Sequence, residues 1–129
     1  MWSWRAPLTS SSPDRKRAAG VACTTSPTSG RSAMLDATAT CDPSGTQLTI
    51  AVVNRDRDRA HRASIELGEA AAKGDALVSE VNGASVEATN SFDTPRAVDV
   101  RESRVSARGH RFEHEFPAHS ISVLRVPLG

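Results

Sequence analysis

The feature that most constrains the fold is a two-residue alternation of side chains in residues 46–56, TQLTIAVVNRD. Leu48, Ile50 and Val52 alternate there with smaller or more polar residues, which is typical of a strand with one buried face. Five further runs between residues 62 and 128 are candidate strands: RASIELG, DALVSEVNG, AVDVRESRVSA (one long strand or two short ones), RFEHEFP and SISVLRVPL.

Turn residues separate these runs, at DPSG, KGD, NG, RGH and PAH. The one helix candidate, GEAAAK, is too short to be stable alone. Short strands separated by turns, without a strand–helix–strand rhythm, predict an antiparallel arrangement. We therefore predict that residues 34–129 form one all-β domain, a jelly-roll-like antiparallel β-sandwich.

Residues 1–33 have a different composition, rich in Ser, Thr, Pro, Gly, Ala and Arg. Five basic residues stand against Asp14, a net charge of 5 − 1 = +4. No strand or helix period occurs in this segment, which predicts a disordered tail. An interaction arm, from WSW and DRKR, is the alternative.

Charge and hydropathy exclude several classes of partner. The whole chain carries a net charge of +1, so nothing points to nucleic acid or to an anionic membrane surface. It has no apolar run long enough to span a bilayer and no secretory signal, which predicts a cytoplasmic location. In that compartment Cys23 and Cys41 are expected to be reduced, with a single disulfide as the alternative.

Two carboxylates on one strand invite a catalytic interpretation. Glu113 and Glu115 would lie ~6.6 Å apart along a strand, within the ~6.5–9.5 Å that inverting glycosidases use. Catalytic carboxylates oppose each other across a substrate, whereas side chains two residues apart point in parallel. We interpret the pair as a solvated sheet surface opposite Phe112 and Phe116.

Four histidines, His61, His110, His114 and His119, invite a metal interpretation. On one strand His110 and His114 would lie ~13 Å apart, too far to ligate one zinc ion. His114 falls between two phenylalanines, which predicts a core histidine held by hydrogen bonds. No nucleophile, phosphate-binding or glycosylation motif is present, so we predict no catalytic residue, metal or cofactor site in this chain.

Three motifs in order carry a resemblance to a known family. They are Val53-Asn54-Arg55 at a strand end, the connection from Asn82-Gly83 to Asn90-Ser91-Phe92-Asp93-x-Pro95, and Phe116-Pro117-x-His119-Ser120 before the last strand. Residues 34–129 thereby resemble the C-terminal β-sandwich of α-L-arabinofuranosidases of glycoside hydrolase family fifty-one.

The resemblance implies that this chain is an accessory domain or fragment of such an enzyme. In that family a separate (β/α) barrel holds both catalytic glutamates and removes terminal α-L-arabinofuranosyl groups from arabinan and arabinoxylan. No barrel is seen in these residues, so the chain is expected to be inactive alone, with the barrel as its partner. A free-standing carbohydrate-binding module and a self-contained hydrolase are the alternatives. Exposed sheet edges predict self-association.

The connection VNGASVEATNSFDTPR, residues 81–96, is expected to hydrogen-bond its own backbone through Asn and Ser side chains. Phe92 is its one large apolar residue, and we expect it to pack across the end of the sandwich or toward the missing barrel. The predicted structural anchors are Asn82, Asn90, Phe92, Pro95, Phe112 and Phe116.

Overall fold

The computed structural model describes residues 34–129 in full and the backbone of residues 2–5. The strands are β1 Trp2–Arg5, β2 Leu35–Cys41, β3 Gln47–Asn54, β4 His61–Glu66, β5 Ala72–Lys73, β6 Ala76–Gly83, β7 Val98–Val105, β8 Arg108–Gly109, β9 Arg111–Phe116 and β10 Ile121–Pro127. Strand β1 lies in the segment predicted to be a disordered tail, where no strand was predicted. Residues 6–33, with Cys23, lie outside the described residues.

These strands form three sheets. Five strands make the largest sheet, in the order β2-β3-β10-β6-β7, and β1-β4-β9 make the second. Strands β5 and β8 form a two-stranded ribbon. Among the described strands the pairings are antiparallel, except that β1 runs parallel to β4. The prediction of an all-β antiparallel sandwich is confirmed.

The alternation read from the sequence matches the buried face of most strands, although β7 and β8 contain no buried residue. In β3, Leu48, Ile50 and Val52 are buried, whereas Val53 faces outward. The run at residues 97–107 forms the single strand β7. The helix candidate GEAAAK becomes a turn followed by β5, whose pairing with β8 replaces the helical hydrogen bonds. The described residues contain no helix that is long and apolar enough to cross a membrane.

The core lies between the inner faces of the two larger sheets. The five-stranded sheet contributes leucines, isoleucine and valines, and the smaller sheet contributes Ile65 and the two phenylalanines of β9. The fully buried large side chains include Phe116, Leu48, Ile50, Ile65, Leu67, Leu124, Val78 and Val126. Full burial of such a side chain contributes about 1.5–3 kcal/mol, so this cluster holds the sheets together.

Strand β10 offers a direct test of the two faces. Leu124 is fully buried, whereas half of Ile121 is exposed. Leu124→Ala should lower the free energy of unfolding by about 2–5 kcal/mol, because it leaves a cavity in the core. Ile121→Ala should lower it by less than about 1 kcal/mol. Urea unfolding followed by circular dichroism measures both; equal losses would contradict this assignment of faces.

Candidate functional site

A buried asparagine links the two larger sheets at one corner. Asn54, the last residue of β3, is 2% exposed. Its side-chain nitrogen lies within hydrogen-bonding distance of three carbonyl oxygens, those of Arg59 at 3.0 Å, Phe116 at 3.1 Å and Pro117 at 2.8 Å. Buried polar groups need such partners because desolvation is otherwise uncompensated. Asn54 thus ties β3 to the end of β9 and to the segment before β4.

Asp56 extends this corner toward the surface. The side-chain oxygen of Asn54 accepts a hydrogen bond from the Asp56 amide, and Asp56 Oδ1 accepts from the amides of Asp58 and Arg59. Asp56 Oδ2 lies 2.8 Å from His61 Nε2. The Asp58 N–H bond, followed by the His61 contact, lowers the pKa of Asp56 below its ordinary value.

The last motif of the sequence enters the same corner. The His119 amide donates to the Asp56 carbonyl, and the backbone of His119 has a positive φ of 45°. Ser120 Oγ donates to the Pro117 carbonyl, and the backbone N–H of Asn54 donates to the Ser120 carbonyl. Two of the three motifs therefore meet in space. Their polar groups are used to fix the chain, so the corner is a structural site.

The connection between β6 and β7 is ordered by its own side chains. Asn90 pairs with the backbone of Val98: its nitrogen donates to the Val98 carbonyl at 3.0 Å, and its oxygen accepts from the Val98 amide at 2.7 Å. Ser91 Oγ accepts from the Thr94 amide. Asn82 Oδ1 accepts from the Gly83 amide. The expected hydrogen bonding of Asn and Ser to their own backbone is confirmed.

Phe92 does not anchor this connection to the sandwich. Its side chain is fully exposed, at 107% of the reference area. The expectation that it packs across the end of the sandwich is wrong, because the local Asn90–Val98 and Ser91–Thr94 bonds hold the connection without it. Phe92 instead lines an open hollow of about 420 Å³, together with Asn90, Ser91 and Pro95.

The remaining predicted anchors divide between core and surface. Phe112 and Phe116 are buried on the inner face of β9. Asn82 is half-buried, whereas Asn90 and Pro95 are exposed. The structure therefore places the two phenylalanines of β9 in the core and leaves most of the connection at the surface.

Glu113 and Glu115 lie on the exposed face of β9, as the alternation predicted. They pair in register with Ser64 and Arg62 of β4. Glu113 also lies 3.8 Å from a guanidinium nitrogen of Arg111. The two carboxylates point in parallel from one strand, a geometry that does not place a sugar ring between them.

The four histidines occupy separate places. His61 contacts Asp56, His110 Nδ1 lies 2.8 Å from the Ala70 carbonyl oxygen, and His119 forms the turn before β10. Within residues 34–129 no group of three or more His, Cys, Asp or Glu side chains could hold a metal ion.

His114 lies in the core but differs from its expected environment. Its Nε2 is buried and has no hydrogen-bond partner among the described residues, so the predicted hydrogen bonding is wrong at that atom. The ring instead meets Phe116 edge-on, with centroids 4.8 Å apart. Burial lowers the pKa of His114, so the apolar contacts favour its neutral form.

Comparison with solved structures identifies the class of domain. The fold matches parts of several glycoside hydrolases, among them a xyloglucanase of family 44 from Paenibacillus polymyxa at a TM-score of 0.55 and 17% identity, which shows the fold alone. A family 51 α-L-arabinofuranosidase from Bifidobacterium longum matches 85% of this chain at a TM-score of 0.64 and 20% identity. These two likenesses show the fold, a β-sandwich that also occurs as a part of longer glycoside hydrolase chains.

More similar structures identify the family. The α-L-arabinofuranosidase of Thermotoga maritima matches 74% of this chain at 34% identity and a TM-score of 0.68. The family 51 enzyme of Thermotoga petrophila matches 72% at 33% identity and a TM-score of 0.66. The β-sandwich of this chain therefore resembles a part of the family 51 α-L-arabinofuranosidases, as the three motifs of the sequence predicted.

The match covers about a fifth of each relative, 19% of both Thermotoga chains. No protein-family model matches this chain, and no curated protein matches it either. The assignment of the fold and the resemblance to the family therefore rest on the structural comparison, together with the motifs that meet at Asn54.

The burial of Asn54 was not predicted, although its position in the alternation of β3 indicates it. Leu48, Ile50, Val52 and Asn54 share one face of β3, so the period that buries the first three also buries the asparagine. A buried amide requires hydrogen-bond partners, which predicts a structural role.

Two asparagines provide a matched test of the corner. Asn54→Ala removes the two N–H donors that reach the three carbonyls and the oxygen that accepts from the Asp56 amide. It should lower the free energy of unfolding by about 1.5–4.5 kcal/mol, at ~0.5–1.5 kcal/mol for each of these three hydrogen bonds. Asn82→Ala removes one local bond and should cost less than about 1 kcal/mol. Denaturant unfolding measures both, and a loss of under ~1 kcal/mol for Asn54→Ala would show that Asn54 is not the link.

Proposed function

We propose that this chain is an accessory domain or fragment of an α-L-arabinofuranosidase, whose catalytic domain removes terminal α-L-arabinofuranosyl residues from arabinan or arabinoxylan. The observation that carries the proposal is the 34% identity to the Thermotoga maritima arabinofuranosidase over 74% of this chain. That relative is named for its activity on arabinofuranosides, and the matched part is one fifth of it. The proposed partner is a (β/α) catalytic barrel outside these 129 residues.

The described side chains support a role without catalysis by this domain. Retaining hydrolysis requires two carboxyl groups about 5–5.5 Å apart on either side of the glycosidic bond. Glu113 and Glu115 point in parallel from an exposed strand face. The polar corner around Asn54 uses its groups for internal hydrogen bonds. The cytoplasmic location expected from the sequence stays a prediction.

The absence of hydrolysis by the isolated chain can be measured directly. The purified 129-residue protein should release no nitrophenol from 4-nitrophenyl α-L-arabinofuranoside above the rate in buffer. Glu113→Gln and Glu115→Gln should leave that background unchanged. Turnover by the wild-type chain that either substitution abolishes would overturn the accessory role and establish a self-contained hydrolase.

A free-standing carbohydrate-binding module is the second candidate, and the exposure of Phe92 favours it. A solvent-facing ring beside a hollow of about 420 Å³ is a surface on which a sugar could stack. However, the Asn90 and Ser91 side chains that line the hollow are engaged by Val98 and Thr94. This engagement leaves few polar groups to orient a sugar.

A pull-down on insoluble arabinan separates the two candidates. The accessory-domain proposal predicts that the chain stays in the supernatant, as albumin does in a parallel sample. Retention that Phe92→Ala abolishes, with retention unchanged in Val86→Ala, would establish the binding module instead.

A further inference from the structure

An apolar patch lies at one end of the outer face of the five-stranded sheet. Strand register places Val53, Ile121, Val81 and Val100 side by side on β3, β10, β6 and β7. Each is at least 36% exposed, whereas the adjacent inner-face residues Val52 on β3 and Ser122 on β10 are buried. Four adjacent strands ~4.8 Å apart make this row about 14 Å wide.

The connection between β6 and β7 extends the same patch. Gly83 is on the outer face, two residues beyond Val81, and a Cβ on Gly83 would lie 2.9 Å from the Cβ of Ala88. The connection therefore crosses the outer face next to the row. It carries the exposed side chains of Val86 and Phe92. We define the apolar patch as the four-residue row together with these two residues.

The outer face becomes more polar away from the row. The next row pairs Val123 with Ala51 and Ser79, and the row after that pairs Leu77 with Arg104 and Arg125. Of the seven large hydrophobic residues that are exposed within residues 34–129, four form the row and two lie on the connection. Soluble domains rarely expose such concentrated apolar surface unless it meets a partner.

We propose that the apolar patch is the surface on which this domain docks to the catalytic domain of its arabinofuranosidase. The inference rests on the function proposed above and names the face that performs it. In the Thermotoga relatives about four fifths of the chain lies outside the matched part, so a large partner is covalently attached to this domain.

The size of the patch favours an attached partner over a second copy of this chain. A free-standing complex buries about 800 Å² on each partner, and a single row about 14 Å wide offers less. A covalently attached domain needs less contact area, because the tether holds the partner at a high effective concentration.

Local hydrogen bonds fix the backbone of the connection on both sides of Phe92. Asn90 clamps the backbone of Val98 on one side of Phe92, and the Ser91–Thr94 bonds close the turn around it. A backbone segment held this way loses little conformational freedom on docking, which favours binding through the side chain that it carries. Phe92 is therefore expected to fill a pocket of the catalytic domain.

The test uses the full 129-residue chain and, as the probe, the Thermotoga maritima arabinofuranosidase without the fifth that this chain matches. Binding is measured by biolayer interferometry, and circular dichroism confirms that each variant is folded. Val100→Lys and Phe92→Ala should each weaken binding by about tenfold or more, as expected for residues that dominate an interface. The control Ser103→Lys adds the same charge to the opposite face of β7 and should change binding by less than about twofold.

The outcomes separate this inference from the proposed function. Wild-type binding that Val100→Lys and Phe92→Ala leave intact would overturn the docking face and leave the accessory role standing. No binding by the folded wild-type chain would overturn the accessory role itself. A dimer of the chain alone in sedimentation velocity, dissociated by Val100→Lys, would show that a second copy occupies the patch and would overturn the assigned partner.

If the shortened Thermotoga enzyme precipitates alone, co-expression replaces the binding assay. The wild-type chain and Ser103→Lys should then keep that enzyme in the soluble fraction, and Val100→Lys should not. Equal soluble yields with all three chains would overturn the docking face.

Discussion

The way in which the two larger sheets meet depends on the hydrogen bonds of one buried amide. Asn54 ends β3 of the five-stranded sheet and contacts the carbonyls of Phe116 and Pro117, at the end of β9 in the smaller sheet. Hydrophobic packing between sheets is non-directional and does not by itself fix their relative position. The amide supplies the missing direction, because its partners must lie where its N–H groups point. The first and the last of the three sequence motifs are thus parts of one structural corner.

The two faces of the five-stranded sheet differ in how far their apolar side chains are buried. The inner face contributes Leu124, Val126 and their neighbours to a continuous core. On the outer face, the row from Val53 to Val100 concentrates apolar surface at the end where the connection to β7 crosses the sheet. The proposed docking to a catalytic domain would account for this asymmetry, since the matched region is about one fifth of each Thermotoga enzyme.

Part of the site was accessible from the sequence and part was not. The two-residue period placed Phe112 and Phe116 inside and Glu113 outside, because a strand alternates its side chains whatever its neighbours are. The prediction that Phe92 packs on the sandwich was wrong for a physical reason. The path of a connection depends on contacts such as Asn90 with Val98, and an irregular segment has no period from which its exposure follows.

The sequence by itself determined the all-β class and the buried face of most strands, because local alternation and turn chemistry fix these. Its ordered motifs also indicated the family. Only the tertiary structure decided that Asn54 meets Phe116 and that Val53, Ile121, Val81 and Val100 lie side by side. Those residues come from strands far apart in the chain. Their neighbours are set by sheet order and register, which emerge from packing the whole domain.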